Sequence, residues 1–463
     1  MPTTIPHLAA AMRQILTTQA TATERTSGFV QRRSKLTGAG FAQTLVLGWW
    51  AAPAATLDDL VLTAETLGCD LTPQALDQRF APAAAQFLYG LLQATLQVVV
   101  AAEAVPLSLL RRFSAVVVTD GCVIPLPPAL QTIWPGCGNS AGPTAALKVL
   151  VPYDLLTGAL PHPLCIAGRI ADGAAARHLP PAPPRSLQLR DLGFFSLPDF
   201  ARLAQQDRYW LSRLRVGTHV YALNGQERDL PTWLAAQATA RGEAWVAVGK
   251  EQRLSCRLLW EAVPEAIRTQ RQAALLETAR RRQTQVSALA WALTGWTLLV
   301  TNVPTEQLSV GEALVLARAR WQVELLFKRW KSLGQVDEWR TTNPWRILCE
   351  VYAKLMALLM QHWLLVVSCW AQRDRSLWKA QRVLPSYGGR IAAVWAAGAR
   401  LDELLAQVAR TLARRGRMTK QANKPATYQL LADPSLLPVK YAATLRQTAT
   451  TPRQTTGKLR PAA

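Results

Sequence analysis

The sequence predicts an α/β protein: a mixed sheet flanked by helices, preceded by a helical N-terminal region and interrupted by a β-rich insertion. Three observations carry that prediction. Ala115–Val118 (AVVV) is an unbroken β-branched run of the kind a central strand buried on both faces requires. Ala317–Lys331 (ARARWQVELLFKRWK) repeats with the helical period instead, so that Leu316, Ala319, Val323, Leu326, Phe327, Trp330 and Leu333 fall on one side of a helix. Between these two stretches, short strand-like runs separated by glycine and charged turns dominate Val216–Leu259.

Composition narrows the class of protein. With 463 residues, half of them hydrophobic, the chain can bury a sizeable core and form about three domains. Its net charge is +22 although only 18% of residues are charged, so the excess reflects a shortage of acids more than lysine-rich blocks. A polyanionic partner follows, most simply nucleic acid. Carboxylates near a phosphate site would repel it, so any placed there have a task such as holding metal. Seven cysteines, odd in number and never spaced Cys-x-x-Cys, point to reduced thiols in a cytosolic protein without a zinc site. No basic segment, apolar run and small-residue cleavage site opens the chain as in a signal peptide. Leu355–Trp370 (LMALLMQHWLLVVSCW) is short for a membrane span and is interrupted by Gln361 and His362. It predicts a buried core helix, with His362 a core histidine and no membrane partner.

Residues 1–110 read as an N-terminal helical DNA-binding region. Leu57–Leu67 is followed by Gly68, and Thr72 and Pro73 then cap and open the run QALDQRF. Helix, glycine turn and helix outline a helix-turn-helix unit whose second helix would carry Gln74, Gln78 and Arg79 toward a groove; plain helical packing gives the same pattern. Gln31–Lys35 (QRRSK) is a basic patch that either holds backbone phosphates or stays solvated. Residues 111–215 form the first part of an α/β core. Asp120 sits at the end of the AVVV strand, Ala146–Tyr153 and Ala159–Ile166 make a meander with it, and a helix lies near Asp172–Leu179. Leu187–Leu189 then leads into Asp191, a second carboxylate at a strand end, before a helix at Pro198–Gln206 and a strand at Tyr209–Leu214.

Residues 216–295 are the β-rich insertion, closed by an arginine-bearing helix from Pro264 to Gln285. The second part of the core, 296–372, resumes with the strand Trp296–Asn302, continues into the helix that carries Glu324, and ends in Arg346–Trp370. Residues 373–463 form a basic C-terminal region that includes Arg414, Arg415, Arg417, Lys420 and Lys424, either solvated or touching phosphate, with a tail after Thr448 expected to be mobile.

This order of strands and helices brings Asp120, Asp191 and Glu324 to one edge of the sheet. Three crowded carboxylates repel and take up protons unless countered. Two Mg²⁺ ions roughly 4 Å apart counter them and suit phosphodiester chemistry. On the helix, Arg320, Glu324, Lys328 and Lys331 form a charged face, which taken alone also fits a solvated surface laced with helical ion pairs. Thirty acids offer many triples, so spacing by itself is modest support.

The motifs are more specific. Arg320, Glu324 and Lys331 stand at the Arg, three residues, Glu, six residues, Lys spacing in RWQVELLFKRWK, accompanied by TDG at Asp120, RDLGFFS around Asp191, LKVLVPYDLLTG, and LLVTN before the helix. In these features the chain resembles the insertion-sequence transposases with an Asp-Asp-Glu active site and a Tyr-Arg-Glu-Lys signature, the fourth insertion-sequence family, from the N-terminal helices to about Tyr428. The 133 residues from Asp191 to Glu324 (324 − 191) match that family's habit of inserting a β-rich domain there. The signature tyrosine is Ala317 in this chain, which removes one phosphate contact and no metal ligand; Arg318 or Trp321 is placed to compensate.

The resemblance implies a ribonuclease-H-like core in which Asp120, Asp191 and Glu324 bind two Mg²⁺, with Mn²⁺ able to substitute, while Arg320 and Lys331 hold DNA phosphates. To these DNA contacts the charged face adds Lys328, the neighbouring turn Arg318, and the N-terminal unit Arg79. Trp296 is either core or a trap for a flipped base, and Lys148 and Arg213 are comparably open. The function implied is a transposase that binds terminal inverted repeats, cleaves the element ends and joins their 3′-hydroxyls to target DNA. It would act as a homodimer on double-stranded DNA, in the cytoplasm with the nucleoid. The alternatives are a structure-specific nuclease without strand transfer and an inactive DNA-binding repressor.

Overall fold

A computed structural model of the chain describes residues 1–30, 35–138, 142–372, 374–418 and 425–438. Most of the Gln31–Lys35 patch, together with Lys420, Lys424 and the tail after Thr448, lies outside the described residues. The chain forms two compact units. The first comprises residues 1–196, 202–210 and 320–418, and the second 197–201, 211–319 and 419–463.

Four strands build the sheet of the first unit in the order β3-β2-β1-β4: β1 (Val116–Leu126), β2 (Ala145–Asp154), β3 (Leu164–Ala167) and β4 (Leu187–Arg190). The sheet is mixed, as the sequence predicts. β1 runs antiparallel to β2 from Val117↔Asp154 to Leu126↔Ala145, and parallel to β4 from Val116↔Leu187 to Val118↔Leu189. Asp120 is therefore in the middle of a long strand rather than at its end. The strand continues because Cys122, Ile124 and Leu126 stay buried on alternate positions while Val123 and Pro125 face outward, the period-2 pattern of a half-covered strand. What ends near Asp120 is only the parallel pairing with β4.

Behind this sheet lies the Pro344–Cys369 helix. Asn343 caps it by accepting from the Trp345 and Arg346 N–H groups, and Pro344 occupies its first turn, where a missing N–H costs nothing. It is long and apolar enough to cross a membrane, yet 94% of its most apolar window is buried. Helices Gly38–Ala51 and Pro82–Leu96 pack on it, so the N-terminal helices belong to the same unit. Several of its buried polar groups find partners within the unit. Glu350 and Lys354 pair at 2.7 Å, and the Lys354 ammonium also donates to the Gln335 and Glu338 carbonyls. His362 is a core histidine: Nε2 meets the Gly158 carbonyl at 2.9 Å, and burial, with Arg329 beside it, pushes its pKa down to about 3. Gly158 cannot be another residue, since its φ is +76° and an added Cβ would stand 2.6 Å from the Trp370 ring.

The N-terminal helix-turn-helix outline is shorter than expected. Its second helix spans only Pro73–Asp77, and Gln78 and Arg79 lie in the turn that follows. At ~1.5 Å per residue five residues make little more than one turn. The segment is tied to the core helix instead: Asp77 accepts from Arg346 at 3.2 Å, and the Arg346 guanidinium lies over Phe80.

In the second unit the strands run β5-β9-β8-β7-β6: β5 (Tyr209–Arg213, part of this unit from Leu211), β6 (Val220–Tyr221), β7 (Arg241–Val248), β8 (Leu254–Ala262) and β9 (Trp296–Thr301). β9 pairs with β5 on one side and with β8 on the other, so the insertion strands extend a sheet founded on β5 and β9 rather than forming a separate one. The arginine-bearing helix Glu265–Arg282 buries none of its residues and is fastened by Arg271, which donates to the Thr294 and Trp296 carbonyls and the Thr297 hydroxyl.

Candidate active site

The stretch expected to be one helix is divided at Arg320: Val310–Ala319 belongs to the second unit and Trp321–Ser332 to the first. At the division the Val323 N–H bonds to the Arg320 carbonyl three residues back rather than four. The apolar side behaves as the periodicity predicts, with Val323, Leu326, Phe327 and Trp330 buried in the first unit and Leu333 half-buried. That face fixes the rotation of the 321–332 helix and leaves Glu324 on the side where Arg320 begins it.

Arg320 is the geometric centre of the site. Its Nη2 donates to Glu324 Oε1 at 2.8 Å, Nη1 lies 3.8 Å from Asp120 Oδ2, and Nε lies 3.8 Å from Asp191 Oδ1. Three carboxylates from a mid-strand position, a strand-to-turn junction and a helix thus meet on one guanidinium. Each arrives by a different device. Asp120 is held by β1, with Oδ1 accepting its neighbour's Gly121 N–H at 2.8 Å. Asp191 directly follows β4 and starts a short turn, Leu192–Phe194, which is pinned where Phe194 packs with Leu150 of β2 and Ala175. Glu324 is carried by the first turn of its helix, where the N-terminal partial charge favours an acid.

Burial pushes the Asp120 carboxyl above the ordinary aspartate range; the Gly121 N–H and Arg320 pull it back, and Asp191 and Glu324 raise it further. The like-charge repulsion is thus felt, and one cation against three anions leaves the cluster net negative. Among the described residues no group of three or more His, Cys, Asp or Glu stands ready to hold a metal ion. A guanidinium lies among the three acids Asp120, Asp191 and Glu324. The donor set itself, all carboxylate oxygen and partly open to water, suits a hard divalent cation that keeps waters and substrate oxygens as ligands.

The other expected residues are distributed differently. Lys331 is turned to β1, where its ammonium donates to the Val123 carbonyl at 2.9 Å and pairs with Asp337 at 3.3 Å. Lys328 is exposed, its ammonium 5.7 Å from the Trp378 ring centroid. Arg79 is half-buried in the turn after the Pro73–Asp77 helix. Arg318 is an exposed residue of the second unit, as is Arg213, and Trp296 there is half-buried at the start of β9. Ala317, at the signature tyrosine position, is half-buried, and Trp321 is 55% exposed.

One supporting pair escapes sequence reasoning. Lys148 of β2 pairs with Asp172 at 2.8 Å and donates to the Ile170 carbonyl at 2.6 Å. A Cβ on Gly121 would stand 3.2 Å from both Asp172 Oδ1 and Lys148 Cδ, and one on Gly193 would be 3.9 Å from Asp172 Oδ2. The pair therefore packs against the residue after Asp120 and lies close to the turn after Asp191. The available signal is Lys148 itself, a lone charge inside the apolar run ALKVLVPY, which must find a partner when buried.

The chain is similar to known proteins over much of its length. A family profile described as Transposase DDE domain matches residues 111–360. The chain is 28% identical over 360 residues to the transposase for insertion sequence element IS231F of Bacillus thuringiensis subsp. israelensis, covering 72% of this chain and 74% of that protein. It is 24% identical over 359 residues to the transposase for insertion sequence element IS1151 of Clostridium perfringens, with 72% and 75% covered. A shorter similarity, 27% over 183 residues, covers 38% of this chain and half of the putative transposase InsL for insertion sequence element IS186A of Escherichia coli (strain K12).

Proposed function

The chain belongs to the transposase DDE domain family, and from that premise we propose that it is an insertion-sequence transposase of the Tyr-Arg-Glu-Lys type. It binds the terminal inverted repeats of its element, hydrolyses a strand at each end to expose 3′-hydroxyls, and joins these to target DNA. The observation that carries the reading is the meeting of Asp120, Asp191 and Glu324 around Arg320.

In this reading the three acids hold two Mg²⁺, or Mn²⁺ in their place. Such a pair supplies activation of a water or 3′-hydroxyl on one side of the phosphodiester and stabilisation of the leaving oxygen on the other. The residues of the chain do the remainder. Asp120 and Asp191 are fixed by the sheet and its turn, so their oxygens are preorganised, while Glu324 is positioned by the buried face of its helix. Arg320 gives up the acids as substrate arrives and takes a non-bridging oxygen of the scissile phosphate, which a planar fork does bidentately. Lys331 reaches phosphate only by releasing Asp337, whereas Lys328, Arg318 and Arg79 supply backbone contacts at the surface. In the first step a P–O bond forms to water and the P–O3′ bond breaks. In the second, the freed 3′-oxygen forms the new P–O bond and the target's P–O3′ bond breaks, so the number of phosphodiester links is conserved. Cutting both ends together calls for at least two protomers, which makes the working form a homodimer on DNA.

Strand transfer is the discriminating test. Incubated with Mg²⁺, plasmid and pre-cleaved end DNA bearing a 3′-hydroxyl, the protein is expected to insert that end into the plasmid. Cleavage of uncut ends without insertion would identify a nuclease, and metal-independent binding without nicks would identify a repressor.

A further inference from the structure

Away from the acid cluster, the first unit contains an open cleft of about 520 Å³ lined by Val383, Ser386, Tyr387, Arg390, Thr411, Arg414 and Arg415. Arg390 comes from the Gly388–Ala396 helix, and Thr411, Arg414 and Arg415 come from the last turns of the Leu401–Arg415 helix, three and four residues apart and so on one face. None of the lining residues is an acid. Between Leu377 and Met418 the only carboxylates are Asp402 and Glu403, both in the first turn of the Leu401–Arg415 helix and both paired there with Arg400.

The guanidiniums are held but not neutralised. Arg390 Nη2 donates to the Gln407 side chain at 2.9 Å and its guanidinium lies 5.4 Å from the centre of the Tyr387 ring, while Arg414 Nε reaches the Arg410 carbonyl at 3.4 Å. Among the described residues no carboxylate pairs with Arg390, Arg414 or Arg415. Three like charges around one cleft repel, and a fold keeps them together at a cost unless an anion sits between them. The openness of the cleft, its spread of forks from two helices and its hydroxyls suit an extended polyanion with several phosphates better than one small ion.

We propose that this arginine cleft is a second DNA-binding site that grips the phosphate backbone without reading sequence, apart from the metal-binding acids. It rests on the transposase reading in taking DNA as the polyanion. Its contribution is electrostatic, so it is counted by salt: each phosphate neutralised adds about 0.9 to the slope of log K against log salt.

The test compares the full-length protein with R390Q/R414Q/R415Q and with the charge-retaining R390K/R414K/R415K, by fluorescence anisotropy on a duplex of arbitrary sequence between low and physiological salt. The glutamine variant is expected to lower the slope by about 2–3 and to weaken binding roughly tenfold to a hundredfold near physiological salt, and the lysine variant to keep most of the slope. All three should melt together, because these side chains are exposed; a glutamine variant that melts early is replaced by the single variants R414Q and R415Q, each expected to lower the slope by about 1. A slope unchanged by loss of the arginines overturns the proposal, as does a calorimetric signal for inorganic phosphate at the cleft with no change in DNA binding. Failure here is separable from failure of the transposase reading. If the parent protein binds duplex DNA with a steep salt slope that these arginines do not carry, only the cleft is wrong; if it does not bind DNA at all, the functional reading itself falls.

Discussion

Arg320→Ala is the most informative single change, because one side chain touches all three acids. Removing it abolishes contacts of 2.8, 3.8 and 3.8 Å to Glu324, Asp120 and Asp191. At about 4 Å and an effective dielectric near 20, a pair of unit charges interacts by roughly 4 kcal/mol. Here the groups are partly solvated, the Arg320 side chain being 21% exposed and Asp191 42%, so each pair is worth much less, about 0.2–1 kcal/mol. The total of about 1–2 kcal/mol is what an incoming divalent ion must offset before it can occupy the acids. With tenfold in affinity per about 1.4 kcal/mol, R320A should bind Mn²⁺ about 5-fold to 30-fold more tightly than the parent in the absence of DNA. R320K, which keeps a charge but loses the fork, should fall between. Titration calorimetry or the electron-spin signal of free Mn²⁺ reads this directly. DNA cleavage by R320A should fall although its metal affinity rises, since the phosphate contact is lost. Equal or weaker Mn²⁺ binding by R320A would refute the idea that the guanidinium stands in for the metal.

Further outcomes follow from the same geometry. Metal uptake should weaken on acidification at a pH above the ordinary aspartate range: Asp120 has a raised pKa, so protons displace metal from it earlier than from an exposed aspartate, and Mn²⁺ affinity that stays flat down to about pH 4 would contradict this. Gly121→Ala forces a Cβ to 3.2 Å from Asp172 Oδ1 and Lys148 Cδ, and is expected to cost about 1–2 kcal/mol in denaturant unfolding and to weaken metal binding, because the strand bearing Asp120 must shift. Leu326→Ala, at a fully buried position on the helix that carries Glu324, should cost about 2–5 kcal/mol by the same measurement. Lys331→Met should cost about 0.5–1.5 kcal/mol through loss of its bond to the Val123 carbonyl, and a purely DNA-affinity effect with unchanged unfolding would show that the bond to β1 contributes nothing.

The fold was legible wherever burial imposes a period. AVVV, ALKVLVPY and WTLLVTN became β1, β2 and β9, and Leu355–Trp370 became part of the buried core helix, because each must cover an apolar face whatever its neighbours do. Places where tertiary contacts override local pattern were not legible. Nothing local stops β1 at Asp120, and its extension to Leu126 depends on β2 lying alongside. The division at Arg320 falls inside an unbroken helical period, and QALDQRF yields only Pro73–Asp77 because Asp77 and Phe80 are engaged by Arg346 from far along the chain. For the acids, thirty candidates made spacing weak, and the signature spacing around Glu324 was the stronger signal. That Arg320 would bind all three acids was not readable. Its i,i+4 partner Glu324 was visible in the spacing, but its reach to β1 and to the turn after β4 depends on the folded sheet.

The most direct measurement is metal-dependent cleavage by Glu324→Gln, with Asp120→Asn and Asp191→Asn alongside, on DNA carrying the element's own ends and with binding monitored in the same samples. If the three acids jointly hold the catalytic ions, each variant keeps its affinity for end DNA and loses strand cleavage in both Mg²⁺ and Mn²⁺. Normal cleavage by Glu324→Gln with binding intact would mean that the chemistry resides elsewhere.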